Sequence, residues 1–203
     1  MFTRMMDRLS TWDEKGGLKS IIPSVLTFGV IGYPFVLPDM IGGNAYSDLE
    51  TFSGGNYPDK EIYIRWIQLN SLLPALQFSV TPWHYDDQVI SLTHKFLSLR
   101  EKYIDRILSL AQECAETGDP IIRPLWWVAP LDEDALVTGD EYLVGNDLLV
   151  APVVEEGARK RDVYLPAGQW RDMIQGEVID GPRLMKDYPV SLDQLAHFER
   201  ITD

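Results

Sequence analysis

MFTRMMDRLSTWDEKGGLKSIIPSVLTFGVIGYPFVLPDMIGGN, residues Met1 to Asn44, is the stretch whose reading decides the fold. Phe2 to Met6 is a short, mostly apolar run broken by Arg4, and it stops abruptly at Asp7. A polar loop follows, with Ser10, Trp12, Asp13 and the pair Gly16–Gly17. Leu18, Ile21, Ile22, Val25 and Leu26 then recur at helical spacing. Pro23 lies inside that pattern, so it kinks the helix or belongs to a short first turn. Tyr33 to Leu37 is continuously apolar, which suits a strand covered on both faces of a parallel sheet, and it too leads to an aspartate, Asp39. Strand, crossover helix and parallel strand make a βαβ unit with both acids on one rim. In a (β/α)8 barrel, that carboxyl-terminal rim is where catalysis happens.

Working outward, a loop rich in turn formers follows Asp39, with Gly42–Gly43, Gly54–Gly55 and Pro58. Long loops on an active rim are usually functional. Asp59 can cap the next helix, Glu61 to about Leu73, which is apolar on most sides and therefore largely buried. Leu76 to Val80 reads as the last barrel strand, and Pro82, Trp83, His84 and Tyr85 form an aromatic loop at the rim. Asp86 and Asp87 start a long helix whose stripe runs from Val89 through Leu92, Phe96, Leu99, Tyr103 and Ile107 to Leu110. Gly118-Asp119-Pro120 stops it and marks the expected boundary between a first unit, residues 1–118, and a second, residues 119–203.

Beyond the boundary the period changes. Ile121 to Val128, Tyr142 to Val144, Leu148 to Val154, Arg161 to Leu165 and His197 to Ile201 are short strand-like runs between Gly, Pro and Asp clusters. Several such strands suggest a β-sandwich. The residue pattern is thus that of an α/β part followed by a β-sandwich domain.

MMDRLSTW, GLKSIIPSVL and GYPFVLPDMIGGN together resemble the second half of a family 31 glycoside hydrolase barrel, in the branch of the myogenesis-regulating glycosidases. The resemblance carried by these motifs of the first part implies that it is the C-terminal part of a (β/α)8 barrel, followed by the β-sandwich domain. The family's Gly-Asp-Asn-x-x-x-Trp is matched by Met6-Asp7-Arg8-Leu9-Ser10-Thr11-Trp12, so the resemblance gives Asp7 the role of general acid/base. Met6 and Arg8 in place of Gly and Asn are a departure. Asp39 corresponds to the Asp of Gly-x-Asp-x-x-Gly, which contacts sugar hydroxyls. Glu61, Arg65, Trp66 and Gln68 match a further pattern, in which Arg65 and Trp66 brace the barrel. Where relatives commonly carry Arg-x-His with a sugar-binding His, this chain has Leu76-Gln77-Phe78, and Gln77 hints at a sugar other than glucose. Trp83 either stacks on a sugar ring or packs its own loop. Arg123-Pro124-Leu125-Trp126-Trp127, Asn146 to Val153 and Val163 to Trp170 match the sandwich that follows the family's barrel, with Trp126, Trp127 and Trp170 as core or interface residues.

Retaining glycoside hydrolysis needs two carboxyl groups about 5–5.5 Å apart, one nucleophile and one acid/base. Asp7 suits the second role. The family's nucleophile comes from an earlier strand with no counterpart here, and Asp39 is not reassigned to that role. Met1 falls inside an expected barrel strand, so the chain reads as a carboxyl-terminal fragment. Two readings follow: an α-glycosidase, with galactosides as the branch-level substrate, or a non-catalytic relative that binds glycans or a protein partner.

Composition excludes other classes. A net charge of −13 argues against nucleic acid and anionic membrane surfaces as partners. No apolar run approaches a membrane span, and the amino-terminal residues lack the apolar core of a signal peptide. The resemblance nonetheless implies a secretory-pathway lumen or a membrane anchor for the full-length protein. One cysteine, Cys114, excludes an internal disulfide and reads as a packed thiol. His84, His94 and His197 are too scattered for a metal motif, and no phosphate-binding Gly-rich loop occurs. No metal or cofactor is expected, and the expected partner is a carbohydrate.

Overall fold

The structure is a computed structural model that describes residues 2–44 and 57–201. Met1 and the Gly54–Gly55 part of the rim loop lie outside the described residues. Strand β1 (Thr3–Arg4) pairs in parallel with β2 (Val36–Leu37), in the register Thr3 to Val36 and Arg4 to Leu37. Helix α1 (Ile21–Val30) crosses between them, entered through a 3-10 turn, Leu18–Ser20, with Pro23 in its first turn. That placement costs nothing, because the first N–H groups of a helix have no internal partner. The expected βαβ unit is present.

The paired part of each strand is shorter than the apolar run. Gly32 sits at φ +94° and Tyr33 is exposed, so the run bends before it pairs at Val36. Leu76 to Val80 forms no extended ladder. It contributes one parallel bridge, Met40 to Gln77, with the Ile41 amide donating to the Gln77 carbonyl over 2.8 Å. Three parallel segments therefore lie side by side in chain order.

Helix α2 (Lys60–Asn70) is capped by Asp59, whose carboxylate accepts from the Glu61 amide over 2.8 Å, and Ile62 to Asn70 are all buried. Helix α3 (Asp87–Thr117) is capped by Asp86 and ends at Gly118, φ +84°, the left-handed conformation that glycine adopts without strain.

After Gly118 come β3 (Ile122–Arg123), a short helix α4 (Glu133–Val137), β4 (Tyr142–Val144), β5 (Leu148–Ala151), β6 (Lys160–Asp172), β7 (Val178–Pro189) and β8 (Ala196–Ile201). They form one antiparallel sheet in the order β3-β4-β5-β8-β6-β7. The apolar run from Ile121 is strand only at Ile122–Arg123, then a 3-10 turn at Leu125–Trp127. Strand β7 is one that the sequence pattern did not announce.

Strands β4 and β5 are buried on both faces. Tyr142, Val144, Leu148 and Val150 join the core of α1, α2 and α3, while Leu143, Leu149 and Ala151 join a second core with Val163, Leu165, Trp170 and Phe198. Trp170 is fully buried there, whereas Trp126 and Trp127 are half-buried. Arg65, buried, donates to the carbonyls of Ala158 (2.9 Å) and Ser191 (3.3 Å), and Gln68 donates to Leu192 O (2.6 Å). Arg65 thus braces the helical part against the sheet. Cys114 is buried, and burial pushes its thiol up from the ordinary value.

Candidate active site

Asp7 and Asp39 leave neighbouring parallel strands at the same end. The β1–β2 pairing continues past the strands, with the Met5 amide donating to Leu37 O over 2.9 Å. Two residues further along each strand the chain reaches an aspartate. Arg4 joins them. Its Nη1 lies 2.6 Å from Asp7 Oδ1, and its Nη2 lies 2.7 Å from Asp39 Oδ1. Its Nε donates to Gln77 Oε1 over 3.1 Å, so one guanidinium touches all three adjacent parallel segments.

The two carboxylates differ in setting. The Asp7 side chain is 48% exposed, whereas Asp39 is fully buried. Asp39 Oδ2 accepts from the Arg8 amide over 2.5 Å, which leaves each of its oxygens engaged. Burial pushes the Asp39 pKa up, and the charge of Asp7 adds to the rise; the amides of Arg8 and Met40 and the charge of Arg4 oppose it. Arg8 is buried too, with Nη1 donating to Ser20 Oγ over 2.6 Å, and burial pushes its pKa down against the pull of Asp39.

The loops after both acids are stitched together. Asn44 N donates to Arg8 O (2.6 Å), Ser10 N to Asn44 O (3.1 Å) and Ser10 Oγ to Gly42 O (2.7 Å). Gly43 is required where it stands. Its φ is +69°, and a Cβ there would lie 2.8 Å from the Trp66 ring and 2.9 Å from Leu9 O.

Of the residues singled out from sequence, Asp7, Asp39 and Gln77 converge through Arg4. Trp83 does not join them. It lies 70% exposed on a 3-10 turn, Pro82–His84, with no hydrogen bond to the cluster among the described residues. His84 is held locally by Thr81 Oγ1 at 2.8 Å. Among the described residues no three His, Cys, Asp or Glu side chains converge to hold a metal, and no helix is long and apolar enough to cross a membrane.

Residues 6–110 match the Glycosyl hydrolases family 31 TIM-barrel domain, and residues 118–201 match the Glycosyl hydrolase family 31 C-terminal domain. The chain belongs to glycosyl hydrolase family 31. It is 50% identical over 97% of its length to the myogenesis-regulating glycosidase of Mus musculus, and 38% identical over 98% to the SITS-binding protein of Tetronarce californica. It spans 28% of the length of each of these two relatives. Its fold is similar to that of the Listeria monocytogenes cycloalternan-forming enzyme in complex with a pentasaccharide substrate. The TM-score is 0.85 at 26% identity, over 98% of this chain and 19% of that one. A family 31 alpha-xylosidase from a soil metagenome, complexed with xylose, superposes with a TM-score of 0.77 at 27% identity, over 87% of this chain and 29% of that one.

In the sequence of this family 31 chain, Arg4 stands only as a break in an apolar run. The one local signal is the spacing to Asp7, three residues on, whereas Asp39 and Gln77 lie far off in sequence. Arg8 stands in the sequence only as a departure from a motif. Its backbone amide and its buried guanidinium both serve the site, and nothing in a single sequence distinguishes that from a surface arginine.

Proposed function

We propose that the whole protein is a retaining α-glycosidase in which Asp7 is the general acid/base. One observation carries this reading: a partly exposed carboxylate at the strand end, held by an arginine that is itself anchored on a buried carboxylate. That arrangement leaves Asp7 open to a glycosidic oxygen while fixing where it points. Asp39, buried with both oxygens engaged, is a poor nucleophile, so the reading takes the nucleophile from outside the described residues. Asp39 and Gln77 support the sugar side of the site, Asp39 from beneath Arg4, and Trp83 offers an exposed aromatic face. Gln77 in place of a histidine favours a galactoside over a glucoside. Residues 1–118 form the barrel part and residues 119–203 the following domain.

The test is a panel of aryl α-galactosides, α-glucosides and α-xylosides on the full-length protein, with the anomer of the first-released sugar followed by proton NMR. The expected result is hydrolysis with retention and a preference for galactose. A preference for glucose would remove the meaning given to Gln77. Sugar binding without turnover of any substrate would instead establish a non-catalytic, glycan-binding relative.

A further inference from the structure

We infer that Arg4 is a positioning residue, whose guanidinium aims the Asp7 carboxylate and also fixes Gln77 so that its amide leaves only N–H donors free. The inference rests on the reading of Asp7 as acid/base. Arginine has five N–H donors and no acceptor. Here Nε donates to Gln77 Oε1 (3.1 Å), Nη1 to Met5 O (3.0 Å) and Asp7 (2.6 Å), and Nη2 to Asp39 (2.7 Å).

An exposed arginine–aspartate pair by itself orders little, because water competes for both partners. This pair is different at its far end. Asp39 is buried and tied to the Arg8 amide over 2.5 Å, so the guanidinium plane is pinned from below and presents Nη1 to Asp7 in one place. A planar fork can hold two carboxylates at a set separation; a lysine ammonium, a single rotatable point charge, cannot. For a proton donor that must meet a leaving oxygen, misplacement by about 1 Å costs on the order of a hundredfold in rate.

The same donor-only chemistry decides the orientation of Gln77. The amide atom facing Arg4 must be the oxygen, so the NH2 group is turned elsewhere, and it has no acceptor among the described residues. A sugar hydroxyl at that position meets a donor and must accept.

The experiment compares Arg4→Met and Arg4→Lys in the full-length protein, on a natural disaccharide and on an aryl glycoside with a good leaving group. Both variants should lower kcat on the disaccharide by roughly 10- to 100-fold. KM should stay within about threefold, with a much smaller loss on the aryl substrate, and lysine should recover less than tenfold. Unchanged kcat on the disaccharide, or equal losses on both substrates, overturns the proposal. If the wild-type protein turns over no glycoside, the reading of Asp7 fails, and Arg4 is decided separately by 15N–1H spectra of the arginine side chains in the full-length protein. Gln77→Leu, which leaves both ion pairs of Arg4 in place, should shift the Arg4 Nε–H resonance, and Asp7→Asn should shift its Nη–H resonances. Spectra indifferent to both substitutions overturn the clamp.

Discussion

The Tyr142 hydroxyl donates to the Leu69 carbonyl over 2.8 Å, joining a strand of the antiparallel sheet to the last turn of helix α2. The last carbonyls of a helix have no partner within it, so a buried helix end needs donors from elsewhere. Arg100 of α3 supplies more just beyond, donating to the carbonyls of Ser71 (3.1 Å), Leu73 (2.5 Å) and Pro74 (2.8 Å). The sheet therefore completes the backbone of the barrel part as well as covering its apolar surface. Tyr142→Phe keeps the packing and leaves the Leu69 carbonyl buried and unpaired. It should cost about 1–2 kcal/mol in urea unfolding. Unchanged stability would mean that water reaches that carbonyl.

Arg65 makes the second tie. Its guanidinium is fully buried and holds its charge at neutral pH, although burial pushes its pKa down to about 10. Arg65→Met has similar reach but strands the carbonyls of Ala158 and Ser191, so it should destabilise by about 2–4 kcal/mol. Glu61 touches the exposed Arg159 at the same seam, and that pair should matter far less. A double-mutant comparison of Arg65→Met with Arg159→Ala checks the ranking; equal costs would contradict it.

Glu141 gives the fold a pH dependence. The side chain is buried, its Oε1 accepts from the Tyr164 amide over 2.8 Å, and its Oε2 has no partner among the described residues. Burial pushes its pKa up to about 8, with Arg161 opposing. The unfolded value is 4.5, so between 4.5 and about 8 the folded chain holds a proton that the unfolded chain has released. Stability from this group is fully present below pH 4.5 and is lost as pH rises through about 8. The slope is at most about 1.4 kcal/mol per pH unit. Glu141→Gln removes the titration, so wild type should lose stability relative to the variant across that window. Parallel curves would show that Glu141 titrates normally.

How far the sequence carries depends on how each element is stabilised. Helices α2 and α3 were legible because local signals and burial agree: Asp59 and Asp86 cap, Gly118 stops, and the apolar stripe of α3 faces the core. Strand β7 was not legible. It lies at the sheet edge, carries Gly181, Pro182 and several charges, and buries little beyond Ile179 and Tyr188. An edge strand of that kind has no alternation to read. The segment at Leu76–Val80 failed the other way, since an apolar run promises a strand, but pairing needs a neighbour, and among the described residues only Met40 provides a bridge. The site itself was half legible. Aspartates at strand ends announce a rim, whereas the arginine that unites them is a relationship across Arg4, Asp39 and Gln77 that no local pattern holds.

Asp7→Asn tests the chemistry most directly. Asparagine keeps the size of the side chain but can neither give a proton to a leaving oxygen nor take one from water. Positioned general acid–base catalysis contributes on the order of 10²–10⁴ in rate, so the full-length variant should lose about that much on a natural disaccharide. Aryl glycosides with good leaving groups depart without a proton, so their first step should be nearly spared. Their second step still lacks a base for water, so the glycosyl-enzyme should accumulate. Azide needs no base, and adding it should restore turnover and give a glycosyl azide of retained configuration. Because Asp7 is partly exposed, the fold should tolerate the change, with unfolding stability shifted by no more than about 1 kcal/mol. An undiminished rate on the disaccharide would remove Asp7 from the mechanism. Loss on every substrate, without azide rescue and with a normal unfolding curve, would make Asp7 a binding group for the sugar instead.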